Sequence, residues 1–127
     1  MLIPQDRSLL PIAMLENLRK FKAGIFQALG HPTRIAIVEL LRDEGEVSVS
    51  RIHERLKLEQ ANASQHLAVL RSKLVVVGRK DGNQVLYSLR DPVLGQVLNL
   101  MRQYFQAHLS EALELLETMK TDENPPK

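Results

Sequence analysis

The sequence predicts a mainly α-helical protein with one small β-hairpin, and three observations support this fold class. Apolar residues recur at helical spacing over most of the chain, which indicates amphipathic helices. A β-branched run at residues 75–77 and an apolar–polar alternation at residues 85–89 indicate two strands. The sequence Asp81-Gly82 between these strands is typical of a tight hairpin turn.

Two helices are expected in the first third of the chain. The first follows apolar residues at helical spacing from Met14 to Leu29, and the sequence Gly30-His31-Pro32 ends it. Pro32 suits the first position of a second helix, because its ring presets a helical φ. We expect His31 and Arg34 to cap or anchor this second helix. The residues expected to face the core from it are Ile35, Val38 and Leu41, with Ile37 and Leu40 beside them.

Two shorter helices follow, joined by a three-residue turn at residues 57–59. Ser48 is the expected N-cap of the first, over residues 49–56, because a serine hydroxyl accepts a hydrogen bond from the free amide groups at a helix start. The second covers residues 59–71. The pair has the proportions of a helix-turn-helix.

The helix over residues 59–71 has two different faces. It carries no charged residue between Gln60 and Val69, and Asn62 and Gln65 point away from its apolar stripe. Asn and Gln can form two hydrogen bonds with an adenine edge, so this surface is typical of a helix that reads DNA. The apolar stripe expected to face the core is Ala63, Leu67 and Leu70.

Charge is distributed unevenly, although the net charge is only +2. Residues 51–80 contain seven Lys and Arg but two Glu, whereas residues 111–127 contain five acidic residues and two Lys. A basic middle and an acidic end indicate that a nucleic acid contacts the middle of the chain.

The residues predicted to contact DNA come from the helix over residues 59–71 and from the hairpin. We expect the helix to meet base edges and phosphates, and the hairpin to meet the DNA backbone. The helix residues are Gln60, Asn62, Ser64, Gln65, His66 and Arg71, and the hairpin residues are Arg79, Lys80, Asn83 and Gln84.

The last helix is expected to start at Asp91-Pro92 and to run to about Met119. Apolar residues repeat along it at alternating intervals of four and three, as in a heptad seam, and a second apolar stripe lies beside that seam. Because a monomer would expose a wide apolar surface, we expect a homodimer formed by the first and last helices. The expected interface residues are Leu18, Phe21, Ile25, Leu98, Met101, Phe105, His108, Ala112 and Leu115.

One domain is expected over residues 13–119, with a flexible arm at residues 1–12 and a disordered tail at residues 120–127. The absence of Cys excludes disulfides and thiolate metal sites. No metal-ligand cluster, glycine-rich phosphate loop or catalytic pairing is visible, so we expect no metal, no cofactor and no enzymatic activity. No membrane-length apolar run and no signal-peptide pattern are visible either, so we expect a cytoplasmic protein.

Three strings in the sequence resemble the ArsR/SmtB family of bacterial repressors. They are FQALGHPTR at residues 26–34, ASQHLAVLR at residues 63–71 and RKDGNQVLYSLRDP at residues 79–92. Their order and separations make the resemblance specific, and it spans roughly residues 15–115. The order of the predicted elements is that of a winged helix-turn-helix with dimerisation helices at both ends.

The resemblance implies a dimeric transcriptional repressor that binds double-stranded DNA. Two recognition helices would enter successive major grooves of an imperfect palindrome, with half-sites about one helical turn apart. The wing, which is the β-hairpin, would reach the flanking backbone or the minor groove.

The chain departs from the family pattern at three places. Leu74 stands where family members commonly have Gly, which implies a strained or different end of the recognition helix. Ser48-Val49-Ser50 stands where metal-sensing members have Cys-Val-Cys, and hydroxyls do not replace thiolates for soft metals. Asp91 matches one position of the family's zinc site, but the other three positions hold Val93, Tyr104 and Ala107. The resemblance therefore supports DNA binding and identifies no inducer.

Two alternative functions stay open at the level of the sequence. One is a regulator that responds to a small organic ligand or anion between the first and last helices. The other is a dimeric protein-interaction module in which DNA binding is weak.

Overall fold

The computed structural model describes residues 5, 6, 8 and 10–123, with side chains in this part up to Thr121. The chain divides after Pro92 into two units. The first unit contains α1 (Ile12–Leu29), α2 (Pro32–Glu44), β1 (Val47–Ser48), α3 (Val49–Leu56), α4 (Gln60–Ser72), β2 (Val76–Asp81) and β3 (Gln84–Leu89). The second unit is built on one long helix, α5 (Val93–Glu123).

The helix ends correct the predicted domain limits. α1 begins at Ile12, the last residue of the predicted arm, and residues 1–4, 7 and 9 of that arm lie outside the described residues. α5 continues to Glu123, so residues 120–123 are helical rather than the start of a disordered tail. The helix passes the predicted end because the first residue that would break it is Pro125. Residues 124–127 of the predicted tail lie outside the described residues.

The junction of α1 and α2 forms as the sequence predicts. The Nδ1 atom of His31 accepts a hydrogen bond from the backbone N–H of Thr33 at 3.1 Å and so caps α2. The guanidinium of Arg34 donates to the backbone carbonyl oxygens of Ala28 and Gln27 at the end of α1. Carbonyl groups at a helix end lack intrahelical partners, so Arg34 anchors α2 to α1.

The core of the first unit lies between α2, α3, α4 and the sheet. The predicted apolar stripe of α4 is fully buried, which confirms the rotation of that helix. In α2, Val38 and Leu41 are buried as predicted, together with the flanking Ile37 and Leu40, but Ile35 is exposed. α2 is packed by α1, α3, α4 and β3, so its buried face includes the residues beside the central stripe.

The sheet has three strands rather than the predicted two. β1 pairs antiparallel with β3, and β3 pairs antiparallel with β2, so the strand order is β1-β3-β2. β1 has two residues and therefore shows no periodicity that could predict it. The strands of the hairpin also extend further toward its tip than predicted, which leaves only Gly82 and Asn83 between the paired residues Asp81 and Gln84. The φ of 62° at Gly82, the first central residue, fits a type II′ turn.

Helix α4 ends with Leu74 in the left-handed region, at a φ of 62°. The N–H of Val75 donates to the carbonyl of Leu70 at 2.9 Å, and the N–H of Leu74 donates to the carbonyl of Arg71 at 3.0 Å. These two bonds form a Schellman motif, which usually has Gly at the left-handed position. The sequence predicts either a strained Leu74 or a different helix end. The structure shows the first, because Leu74 adopts the left-handed conformation in an ordinary helix end.

Candidate nucleic-acid interface

Helix α4 presents an uncharged polar surface to solvent. Asn62, Ser64 and Gln65 are exposed on the sides of the helix that do not enter the core. Within the described part of the chain, the amides of Asn62 and Gln65 have no hydrogen-bond partner. Both amides are therefore available to a partner molecule, as expected of residues that read base edges.

His66 has a different surrounding from its neighbours on α4. Its side chain is half-buried, and the centroid of its ring lies 4.6 Å from that of His31 at the start of α2. Burial lowers the pKa of His66 below its ordinary value of 6.5, and electrostatic interactions with His31 and Arg34 lower it further. His66 is therefore neutral near pH 7 and packs α4 against α2.

A polar groove of about 300 Å³, the α4–wing groove, lies between the start of α4 and the wing formed by β2 and β3. Four of the residues predicted to contact DNA line this groove. Gln60 and Ser64 come from α4, and Asn83 and Gln84 come from the wing. Amide and hydroxyl groups on its two walls are the kind of side chains that hold DNA phosphates.

Three further polar residues line the α4–wing groove and were not predicted to contact DNA: Ser48, Ser50 and Tyr87. Ser48 caps α3 as predicted, since its hydroxyl accepts a hydrogen bond from the N–H of Arg51 at 3.1 Å. The pairing of β1 with β3 brings Ser48 next to the wing. The sequence feature that could have predicted this contact is the pair of hydroxyls of Ser48 and Ser50 at the start of α3, because a helix N-terminus favours anions such as phosphates.

Arg79, which is predicted to contact the DNA backbone, forms an ion pair with Glu46 in the structure. Its Nε atom donates to Oε2 of Glu46 at 2.9 Å, and its Nη2 atom donates to Oε1 at 2.6 Å. The hydrogen bond from Arg79 lowers the pKa of Glu46, and the same bond raises the pKa of Arg79. The structure therefore balances the Arg79 charge with a carboxylate, through two of the five N–H donors of the guanidinium.

Two more basic residues are paired with acids. The Nε atom of Arg51 lies 2.6 Å from Oε1 of Glu44, and the Nε atom of Arg55 lies 3.5 Å from Oε2 of the same carboxylate. The acids in these pairs are Glu44 and Glu46. Both lie before residues 51–80, the basic segment of the sequence. Arg71 and Lys80 are exposed and have no ion-pair partner in the described part of the chain, so both are available to phosphates.

The predicted dimer residues lie on α1 and α5. In α1, Phe21 is exposed and Leu18 and Ile25 are half-buried. In α5, Leu98 is half-buried, and every described side chain from Met101 onward is exposed. The exposed members of the predicted set on α5 are Met101, Phe105, His108, Ala112 and Leu115. Exposed apolar side chains on a helix form a surface that a partner could cover.

His108 lies in this exposed apolar surface of α5. Its Nδ1 atom is 3.6 Å from Oε2 of Glu111, and its ring centroid is 4.6 Å from that of Tyr104. No cluster of three or more His, Asp or Glu residues that could hold a metal ion occurs among the described residues. In the same part of the chain, no helix combines the length and apolar character needed to cross a membrane.

Comparison with known proteins identifies the central segment and several relatives. Residues 29–78, from the end of α1 into β2, match the family described as a helix-turn-helix domain. The uncharacterized HTH-type transcriptional regulator Rv0081 of Mycobacterium tuberculosis is 37% identical over 105 residues, which cover 83% of this chain and 92% of that protein. The HTH-type transcriptional repressor SmtB of the same species is 39% identical over 74 residues, which cover 58% of this chain and 54% of SmtB.

Solved structures share the fold. The crystal structure of Rv0081 matches with a TM-score of 0.68 at 39% identity, covering 76% of this chain and 96% of that chain. A solution structure from Mycobacterium bovis, described as a homodimeric winged helix-turn-helix DNA-binding domain and a possible ArsR-family regulator, also matches with a TM-score of 0.68. It is 25% identical and covers 86% of this chain and 94% of that chain.

Proposed function

This chain belongs to the ArsR/SmtB family of helix-turn-helix transcriptional regulators, and we propose that it is a homodimeric repressor of an imperfect palindrome in double-stranded DNA. Helix α4 would enter the major groove, and the wing would meet the flanking backbone. We infer a binding function rather than a catalytic one, exercised in the cytoplasm, where a regulator of this kind meets DNA.

The observation that carries the proposal is the exposed, uncharged surface of α4 beside the α4–wing groove. The free amides of Asn62 and Gln65 suit base edges, where each can form two hydrogen bonds with an adenine. Gln60 and Ser64 lie in the groove together with wing amides, which suits a phosphate next to the bases. His66 packs against α2, so we assign base reading to Asn62 and Gln65 and not to His66.

Dimerisation is proposed from the apolar surfaces of α1 and α5. The side chains of Phe21 and Phe105 are 51% and 58% exposed in the single chain, which is unfavourable for large apolar groups unless a partner covers them. The homodimeric Mycobacterium bovis structure supports the same assembly. A dimer carries two α4 helices, as a palindrome with half-sites about 34 Å apart requires.

The test is fluorescence anisotropy of the protein with DNA from upstream of its own coding sequence and with scrambled DNA. We expect preferential binding to the upstream DNA and a loss of affinity of at least about 10³-fold between roughly 50 mM and 200 mM salt if six or more phosphates are contacted. Equal, weak and salt-insensitive binding to both DNAs would contradict the proposal and favour the protein-interaction alternative.

Repression is tested separately with a reporter gene placed behind the bound upstream DNA. We expect lower reporter output when the protein is present and restored output when Asn62 and Gln65 are both replaced by Ala. Higher output in the presence of the wild-type protein would contradict repression while leaving DNA binding intact.

A further inference from the structure

Glu46 and Arg79 connect the two outer strands of the sheet across the central strand. Glu46 directly precedes β1, Arg79 lies in β2, and β3 runs between these strands. The register pairs Arg79 with Leu86 and Leu86 with Ser48. Side chains two residues apart share a face of a sheet, so Glu46 lies on the same face as Arg79. Its carboxylate reaches over β3 to bind the guanidinium through two hydrogen bonds.

This ion pair joins two parts of the candidate DNA surface. Ser48, two residues after Glu46, caps the first helix of the helix-turn-helix. Arg79 precedes Lys80 on the wing, and Lys80 has no ion-pair partner among the described residues. A guanidinium–carboxylate pair with two hydrogen bonds restricts orientation as well as distance. The pair therefore links the wing to the segment just before α3.

Building on the proposed function, we propose that Glu46 withholds the Arg79 guanidinium from DNA phosphates and so sets how many wing cations are available to DNA. A cation whose charge is balanced by a carboxylate does not neutralise a phosphate, and it releases no counterion when DNA binds. Lys80, one residue further along the wing, is then the wing cation that meets the backbone.

The test compares four variants in the same anisotropy assay over a range of salt concentrations. Glu46→Gln frees Arg79, so it should tighten binding to both upstream and scrambled DNA by about fivefold near 0.15 M salt and steepen the salt slope by about 0.9. Arg79→Gln leaves the Glu46 carboxylate unbalanced and should weaken binding to both DNAs, whereas Glu46→Gln combined with Arg79→Gln should restore the wild-type affinity and salt slope. The matched control is Glu16→Gln on α1, which makes the same change in net charge at an exposed residue without an ion-pair partner in the described chain.

Two results would overturn the proposal. Weaker DNA binding and a flatter salt slope for the double variant than for the wild type would show that Arg79 contacts a phosphate in the wild-type complex. Equal weakening by Glu46→Gln and Arg79→Gln, with lower melting temperatures for both, would assign the pair a role in stability alone.

Retention on immobilised heparin separates this proposal from the proposed function, because a polyanion requires no operator sequence. Glu46→Gln should elute at a higher salt concentration than Glu16→Gln. If the wild-type chain shows no preference for its upstream DNA but this elution difference is found, the proposed function fails and the role of Glu46 in withholding Arg79 stands. Identical elution of the two variants would overturn that role.

Discussion

At the scale of single residues, exposure and pairing decide which polar side chains are available to DNA. Asn62 and Gln65 are exposed with free amides, whereas His66 packs against His31 and Arg79 is bound to Glu46. All four have residue types found in DNA interfaces, so residue type alone does not separate them. The structure separates them because it shows what each side chain already contacts.

Gln65→Ala should reduce the discrimination between upstream and scrambled DNA by about 1–3 kcal/mol, the usual contribution of a side chain with two hydrogen bonds to a base. The measurement is the ratio of the two dissociation constants by anisotropy. Lys80→Ala is the matched control, since loss of a phosphate contact should weaken both DNAs alike and flatten the salt slope by about one. An unchanged ratio for Gln65→Ala would show that this side chain does not read bases.

Leu74 should be one of the few positions in this chain where Gly is more stabilising than Ala. At a φ of 62°, Cβ costs about 1–2 kcal/mol, part of which is offset by the greater freedom of Gly in the unfolded chain. We therefore expect Leu74→Gly to exceed Leu74→Ala by about 0.5–1 kcal/mol in free energy of unfolding. Urea denaturation measures both, and the Ala variant controls for loss of the leucine side chain. A more stable Ala variant would contradict the left-handed conformation.

At the scale of secondary-structure elements, the α4–wing groove depends on contacts between segments that are distant in sequence. β1 pairs with β3 and places the start of α3 beside the wing, while α4 supplies the facing wall. The contact of His31 with His66 likewise joins the start of α2 to the recognition helix. Changes at these contacts should therefore affect the placement of α4 as well as local stability.

Protonation of His66, which lies at the contact between α2 and α4, should make the protein less stable in mild acid. The folded state holds the pKa of His66 below its ordinary value of 6.5. The unfolded chain therefore binds more protons in this range, so the contribution of His66 is intact above pH 6.5 and is lost as pH falls through 6.5 toward the folded pKa.

The measurement is the melting temperature at about pH 7.5 and about pH 5.5, for the wild type and for His66→Gln. We expect a smaller decrease in the variant, which has no imidazole at this position to protonate. Glu46 also titrates with a lowered pKa, but its contribution is lost only as pH falls below its ordinary value of 4.5, outside this window. An equal decrease in wild type and variant would contradict the assignment to His66.

At the scale of the whole molecule, the apolar surface of α5 is the feature that a single chain leaves exposed. The exposed side chains continue along the helix from Met101 to Met119. A helix with this much apolar surface is expected to bury it against a partner, and we propose that this partner is a second copy, because the similar Mycobacterium bovis structure is described as homodimeric.

Phe105→Glu should therefore convert the dimer to a monomer and weaken binding to palindromic DNA, because a charge would be buried in the interface. Sedimentation equilibrium measures the assembly, and anisotropy measures the binding. Gln103→Glu introduces the same charge on α5 outside the heptad seam and should leave the dimer intact. Dimers of unchanged affinity for Phe105→Glu would place the interface elsewhere.

The sequence predicted well what depends on neighbouring residues. The buried stripe of α4, the N-caps His31 and Ser48, and the hairpin at residues 76–89 depend on spacing or on side chains within a few positions. The sequence predicts an end of α5 near Met119, which is too early, because the polar residues 120–123 continue the helix. Residue-by-residue DNA contact and the dimer interface stay predictions.

By itself, the sequence determined the order of the elements, the two faces of the recognition helix and membership of the family, because periodicity and local motifs depend on short-range interactions. Only the tertiary structure decided that β1 joins the sheet, that residues from α3, α4 and the wing share one groove, and that Arg79 is held by Glu46. Glu46 and Arg79 are 33 residues apart, and no local pattern connects them. Contacts between residues distant in sequence therefore determine which cationic side chains are available to DNA.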